Sequence, residues 1–138
     1  MLFRSGKIAV VGRKMDGHVN DVVSHLQGQG KQVEAFSEAF QKNKSFNIDG
    51  QNYSWNQIKD DFANPINPVT GKRKYASINQ QGWIADSDVP NTLMYKANQQ
   101  WANNLVNDGF EIIDMGFPAG QNLGPSLFYN MELSIIFP

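Results

Sequence analysis

Lys7-Ile8-Ala9-Val10-Val11-Gly12 is a short β-branched run that stops on a glycine. That pattern belongs to a strand covered on both faces in a parallel sheet. Downstream, Val19, Val22, Val23 and Leu26 recur at helical spacing, which predicts a helix over 19–29 closed by Gly28 and Gly30. A second apolar run, KQVEAF over 31–36, follows at once. Strand, helix and strand at this spacing make a βαβ unit, whose crossover is right-handed almost without exception. A third strand is expected at Glu111–Asp114. It follows a long helix over 90–107, with Leu93, Ala97, Trp101 and Leu105 on one stripe, Pro90 in its first turn and Gly109 at its end. A last helix is expected over 126–136 behind Pro125. The fold class is therefore α/β: a small two-layer or three-layer domain with a mostly parallel sheet.

Between the second strand and the long helix the signals change. Phe46 to Tyr53 places Asp49-Gly50 between alternating apolar residues, a hairpin with a type I′ turn. Ser54 can cap a helix over Trp55–Ala63. The stretch NPINPVTGKRK over 64–74 reads as a mobile loop, and Trp55 and Trp83 read as core residues. The hairpin region is an insertion, and with no repeat and no linker the chain is expected to form one domain, 1–138.

Composition narrows the chemistry. The chain has 138 residues, no cysteine and a net charge of −1. A disulfide framework, thiolate zinc sites and a cysteine nucleophile are excluded. A pI of about 6.1 gives no global field for nucleic acid, so binding of that kind would need a local patch. No apolar run reaches the length of a membrane span, and the N-terminal stretch does not read as a signal peptide. Val11-Gly12-Arg13 lacks the later glycines of a dinucleotide fingerprint, and there is no phosphate-cradling lysine loop and no paired-histidine zinc helix. Neither a cofactor nor a bound metal is expected.

In open α/β sheets ligands bind beyond the carboxyl ends of the strands. The first strand delivers Arg13, Lys14, Asp16 and His18 to that edge, and the strand at Ile112 delivers Asp114. A guanidinium, two carboxylates and an imidazole suit phosphate binding or acid–base catalysis. An ordinary alternative is that Asp16 caps a helix and His18 is simply exposed. On the last helix Ser126, Tyr129 and Glu132 recur every three residues and share a face, with Glu132 a candidate acid or base; on the long helix Asn98 and Trp101 are spaced likewise. Lys72, Arg73 and Lys74, beside Tyr75, form the one basic cluster, either a phosphate contact or a solvated loop.

Four blocks in this order resemble a known family: Ile8 to Asp16, Ala97 to Trp101, Ile112 to Gly116, and Pro125 to Glu132. They are similar to the variable C-terminal toxin domains of bacterial polymorphic toxins, those of Rhs-repeat and contact-dependent-inhibition proteins. The zinc signature of toxin deaminases is missing. The resemblance implies an antibacterial toxin domain, carried out of the cell on a larger effector, acting in the target-cell cytoplasm and neutralised by a cognate immunity protein. It singles out Arg13 and Asp16, Asn98 and Trp101, and Ser126, Tyr129 and Glu132. Three functions compete. The first is a metal-independent ribonuclease, with Arg13, His18, Glu132 and Lys72 as its working groups. The second is a hydrolase of NAD or another nucleotide, with Glu132 stabilising an oxocarbenium-like state and Arg13 on the diphosphate. The third is a non-enzymatic binding module.

Overall fold

Three strands lie side by side because three apolar runs need cover on both faces. In a computed structural model, residues 6–11, 18–36, 46–80, 82–115 and 127–138 are described, with the backbone alone at His18 and Val19. Strand β1 (Lys7–Val11) occupies the centre of a parallel sheet. Strand β2 (Gln32–Glu34) flanks it on one side, pairing Ile8 with Val33. On the other side runs the strand over Glu111–Asp114, pairing Ala9 with Ile112 and Val11 with Asp114.

Alternation along β1 divides the core. Ile8 and Val10 point to one face, where Val23 and Val33 are buried with them and Val22 and Leu26 of helix α1 (His18–Gly28) pack against them. Ala9 and Val11 point to the other, against Trp101 and Leu105. Leu133 and Ile136 of the last helix complete that second cluster. Each buried aliphatic side chain adds about 1.5–3 kcal/mol, so the two clusters hold the sheet between helices on both faces. A side-chain bond from Gln27 Nε2 to the Val33 carbonyl, 3.1 Å, ties α1 to β2.

Contacts fall into two compact units, 1–39 with Gln99–Pro138, and Phe40–Asn98. The second holds the hairpin of β3 (Phe46–Ile48) and β4 (Gln51–Tyr53). Its turn is of the expected primed kind, since Asp49 has φ 53° and Gly50 φ 85°. Helix α2 (Trp55–Ala63) starts in a capping box: Ser54 Oγ accepts from the Gln57 amide, and Gln57 returns the bond to the Ser54 amide. It ends on Asn64 in the left-handed conformation, ahead of Pro65. A 3-10 turn (Val89–Asn91) leads into helix α3 (Leu93–Asn107), and the boundary between the units falls within α3 at Asn98. Strand β5 (Glu111–Asp114) and helix α4 (Leu127–Ile136) close the chain order.

The expectation of core tryptophans in this second unit is corrected. Trp83 is 65% exposed, because it closes a tight turn in which its amide donates to Asn79 Oδ1 at 3.0 Å. Trp55 is half-buried, its ring covered by Lys59 Nζ at 5.9 Å. The loop 64–74 is internally bonded: Asn67 Oδ1 accepts from the amides of Val69 and Thr70, and the Asn67 amide donates to the Lys72 carbonyl at 2.8 Å. The stripe expected on α3 is buried at Ala97, Trp101 and Leu105 and half-buried at Leu93.

Candidate functional site

The carboxyl edge of the sheet carries a carboxylate by construction. Asp114 is the last residue of β5, aligned with Val11 at the end of β1, and the Met115 amide donates to the Val11 carbonyl at 2.8 Å. This bond holds the end of β5 against β1, so Asp114 projects from an ordered edge, where it is exposed. Helix α4 brings a second acidic group. Leu133 and Ile136 anchor it in the core, and the same helical geometry leaves Tyr129 and Glu132 on adjoining turns, 7% and 6% exposed. Tyr129 Oη donates to Asp114 Oδ1 at 2.6 Å.

The electrostatics of this cluster are negative. Burial, then the hydrogen bond and charge of Asp114, then the charge of Glu132, push the Tyr129 phenol up to about 12. Tyr129 therefore keeps its proton through the physiological range and serves as a donor that orients Asp114. Glu132 stands within electrostatic reach of that phenol in a setting poor in water, where a charge acts more strongly than at the surface. Helix α1 joins the neighbouring parallel strands β1 and β2, so it runs back against them, and its N-terminus adds partial positive charge at this edge.

Among the residues singled out from sequence, Asp114, Tyr129 and Glu132 thus come together. Arg13, Asp16 and Ser126 lie outside the described residues, and His18 is the first residue of α1, of whose side chain nothing is described. Trp101 is 3% exposed and donates its indole N–H to Glu34 Oε1 at 3.0 Å, with Phe36 tilted against it at 5.7 Å between ring centres. Its position is that of a core anchor. Asn98 is 2% exposed, and its Oδ1 has no hydrogen-bond partner.

Lys72, Arg73 and Lys74 belong to the other unit, beside an open cleft that Tyr53, Gln57, Asp60 and Asn64 also line. Lys74 is committed to Asp61, at 2.6 Å. Arg73 donates Nε–H to the Asn64 carbonyl at 3.2 Å, and Lys72 is exposed. The sequence reading missed Asp61 altogether. Its carboxylate accepts from Lys74 Nζ, from Tyr75 Oη at 2.7 Å and from the Leu93 amide at 2.9 Å. Burial pushes its carboxyl up, and the bonds from Lys74, Leu93 and Tyr75 outweigh that and hold it below the usual value. Tyr75, buried beside it, is pushed up to about 12, by burial first and the Asp61 bond next. Only its place next to Asp60 in the helix sequence marked Asp61, and that signal has no distinct meaning.

No described helix is long and apolar enough to cross a membrane, and no cluster of three or more potential metal ligands occurs among the described residues. Comparison with family models, with curated proteins and with solved structures gives no match for this chain.

Proposed function

We propose that this chain is the toxin domain of a polymorphic-type effector, delivered into competing bacteria and restrained by a cognate immunity protein, and that it hydrolyses the N-glycosidic bond of NAD or a related nucleotide. The observation that carries the reaction is the cluster of Asp114, Tyr129 and Glu132 at the carboxyl edge of the parallel sheet. A strand-end carboxylate and a helical pair, read separately from the sequence, meet there, at the edge where α/β sheets take their ligands.

The chemistry follows from what the cluster has and lacks. It offers two carboxylates and a phenol that holds its proton to about 12, which is far from the value suited to a general acid near neutrality. Loss of nicotinamide needs no such acid. The bond from ribose C1′ to the pyridinium nitrogen breaks with both electrons going to nitrogen, so the leaving group departs neutral. Positive charge then spreads over C1′ and the ring oxygen, and Glu132 stabilises it. Water attacks C1′, and Asp114, aimed by Tyr129, takes the proton that water sheds. Arg13 and the N-terminus of α1 are the groups suited to the diphosphate.

Cleavage of RNA is the second reading. It needs a proton donor for the leaving oxygen, and the Tyr129 phenol, which holds its proton to about 12, is poorly suited to that step. One experiment separates the readings: purified chain is incubated with NAD and, in parallel, with total RNA. Nicotinamide release is expected, lowered by about 10²–10³ in Glu132→Gln, with the thermal melt within a few degrees of the parent. RNA fragmentation without nicotinamide release would transfer the assignment to the second reading. Inertness toward both, with normal growth of cells expressing the soluble chain, would overturn the toxin assignment.

A further inference from the structure

The loop between α2 and Tyr75 is built like a recognition tip. Val69 is 91% exposed and Ile66 55% exposed, the two most prominent aliphatic side chains of the inserted unit. Exposure of that degree in a slack loop would mean little. Here the backbone is fixed at both ends and across the middle: the Asn67 side chain gathers the amides of Val69 and Thr70, the Gly71 amide donates to the Asn67 carbonyl at 2.8 Å, and the Lys72 amide donates to Thr70 Oγ1 at 3.3 Å. Pro65 and Pro68 restrict the chain further. A loop already held in one shape loses little entropy when a partner seats on it.

Charge completes the pattern. Lys74 is neutralised by Asp61, whereas Lys72 and Arg73 have no carboxylate partner among the described residues. With Asp60 on the same cleft, the tip presents an aliphatic knob beside a net positive group of side chains. We propose that loop 65–74 docks an acidic polypeptide that packs apolar side chains against Val69. Complementary charge would steer that partner, and the buried knob would hold it. RNA fits less well. Tyr75, the aromatic next to the cations in sequence, is 6% exposed with its hydroxyl tied to Asp61, so its own ring offers no open face for a base to stack on. Docking at this loop stands apart from the reaction proposed for the sheet edge, and either can fail alone.

Titration of the isotopically labelled full chain, followed through its amide NMR signals at about 150 mM salt, tests this. The probes are a glutamate–tyrosine copolymer, polyglutamate and a single-stranded uridine oligonucleotide. The copolymer is expected to shift the amides of loop 65–74 and to half-saturate at a concentration at least about tenfold below polyglutamate. Val69→Asp and Lys72→Glu, both at exposed positions, are each expected to weaken it by at least about tenfold without moving the melt. Equal binding of the copolymer and polyglutamate would overturn the proposal, because the tip would then read charge alone. So would tighter binding of the oligonucleotide, copolymer binding unaltered by Val69→Asp, or the absence of any shift in the loop.

Discussion

Replacing Asp61 with alanine removes an acceptor that three donors share. The side chain of Asp61 is 5% exposed, and the bonds from Tyr75 Oη and the Leu93 amide are largely shielded from water. Charge-assisted bonds of this kind contribute about 1.5–3 kcal/mol each, and the abandoned donors keep their desolvation cost. Lys74 is different: its side chain is 64% exposed, so the ion pair itself adds less than about 1 kcal/mol. The expected loss for Asp61→Ala is about 3–5 kcal/mol at neutral pH, most of it from the two shielded bonds of Tyr75 and Leu93. Asp61→Asn keeps the shape and one acceptor, and about half of that loss is expected. Urea unfolding followed by tryptophan fluorescence measures both. A double-mutant cycle with Tyr75→Phe isolates the phenol bond, for which a coupling of about 1–2 kcal/mol is expected. A loss below about 1 kcal/mol in Asp61→Ala, or additivity with Tyr75→Phe, would refute the account of Asp61 as the joint of this unit.

The pH dependence has a definite sign. Because the folded state holds the Asp61 carboxyl below its ordinary 3.8, its stabilisation is present above about pH 4 and is lost as pH falls through the lower folded value. The stability gap between the parent and Asp61→Asn should therefore shrink in acid, as read from denaturant midpoints. Tyr129 titrates near 12 in the folded chain against about 10 unfolded, so its contribution is complete below pH 10 and declines between pH 10 and 12. Tyr129→Phe should flatten that part of the alkaline unfolding curve. Trp101→Phe removes the bond to Glu34 and part of a core side chain, and a cost of about 1–3 kcal/mol is expected by chemical denaturation.

Much of the fold was legible because it rests on short-range rules. β1 and β5 fall on the expected residues, as do the hairpin strands and α2, since β-branched runs, Asp49-Gly50 and the Ser54 cap each act within a few residues. β2 is shorter than expected, three residues in place of six, because only Gln32, Val33 and Glu34 find partners on β1. At the site, the helical offset from Tyr129 to Glu132 predicted a shared face, and the parallel register explains why Asp114 meets it. What escaped the sequence was long-range pairing. Asp61 finds Lys74 and Tyr75 13 and 14 residues away and Leu93 32 residues away, and Trp101 finds Glu34 67 residues away. Such partners depend on where loops return, and a local pattern carries no signal for that. Trp83 was misplaced for a related reason: its size argued for burial, while the turn around Gly82, at φ 83°, turned it to solvent.

Asn64 has a consequence for how this molecule ages. Its side-chain amide imitates a strand neighbour, donating to the Tyr75 carbonyl at 2.9 Å and accepting from the Tyr75 amide at 3.0 Å while its own backbone sits in the left-handed region. Few residues tolerate that conformation and also offer one donor and one acceptor in peptide-like geometry. Spontaneous deamidation would convert the donor into a second acceptor and unfasten the clasp. The usual route to deamidation begins with attack by the next residue's backbone nitrogen on the side chain, and here that nitrogen belongs to Pro65, which carries no hydrogen to lose. The clasp is thus shielded from the commonest chemical clock in proteins. The exposed Asp49-Gly50 turn has no such protection, and isomerised aspartate is expected to accumulate there during storage.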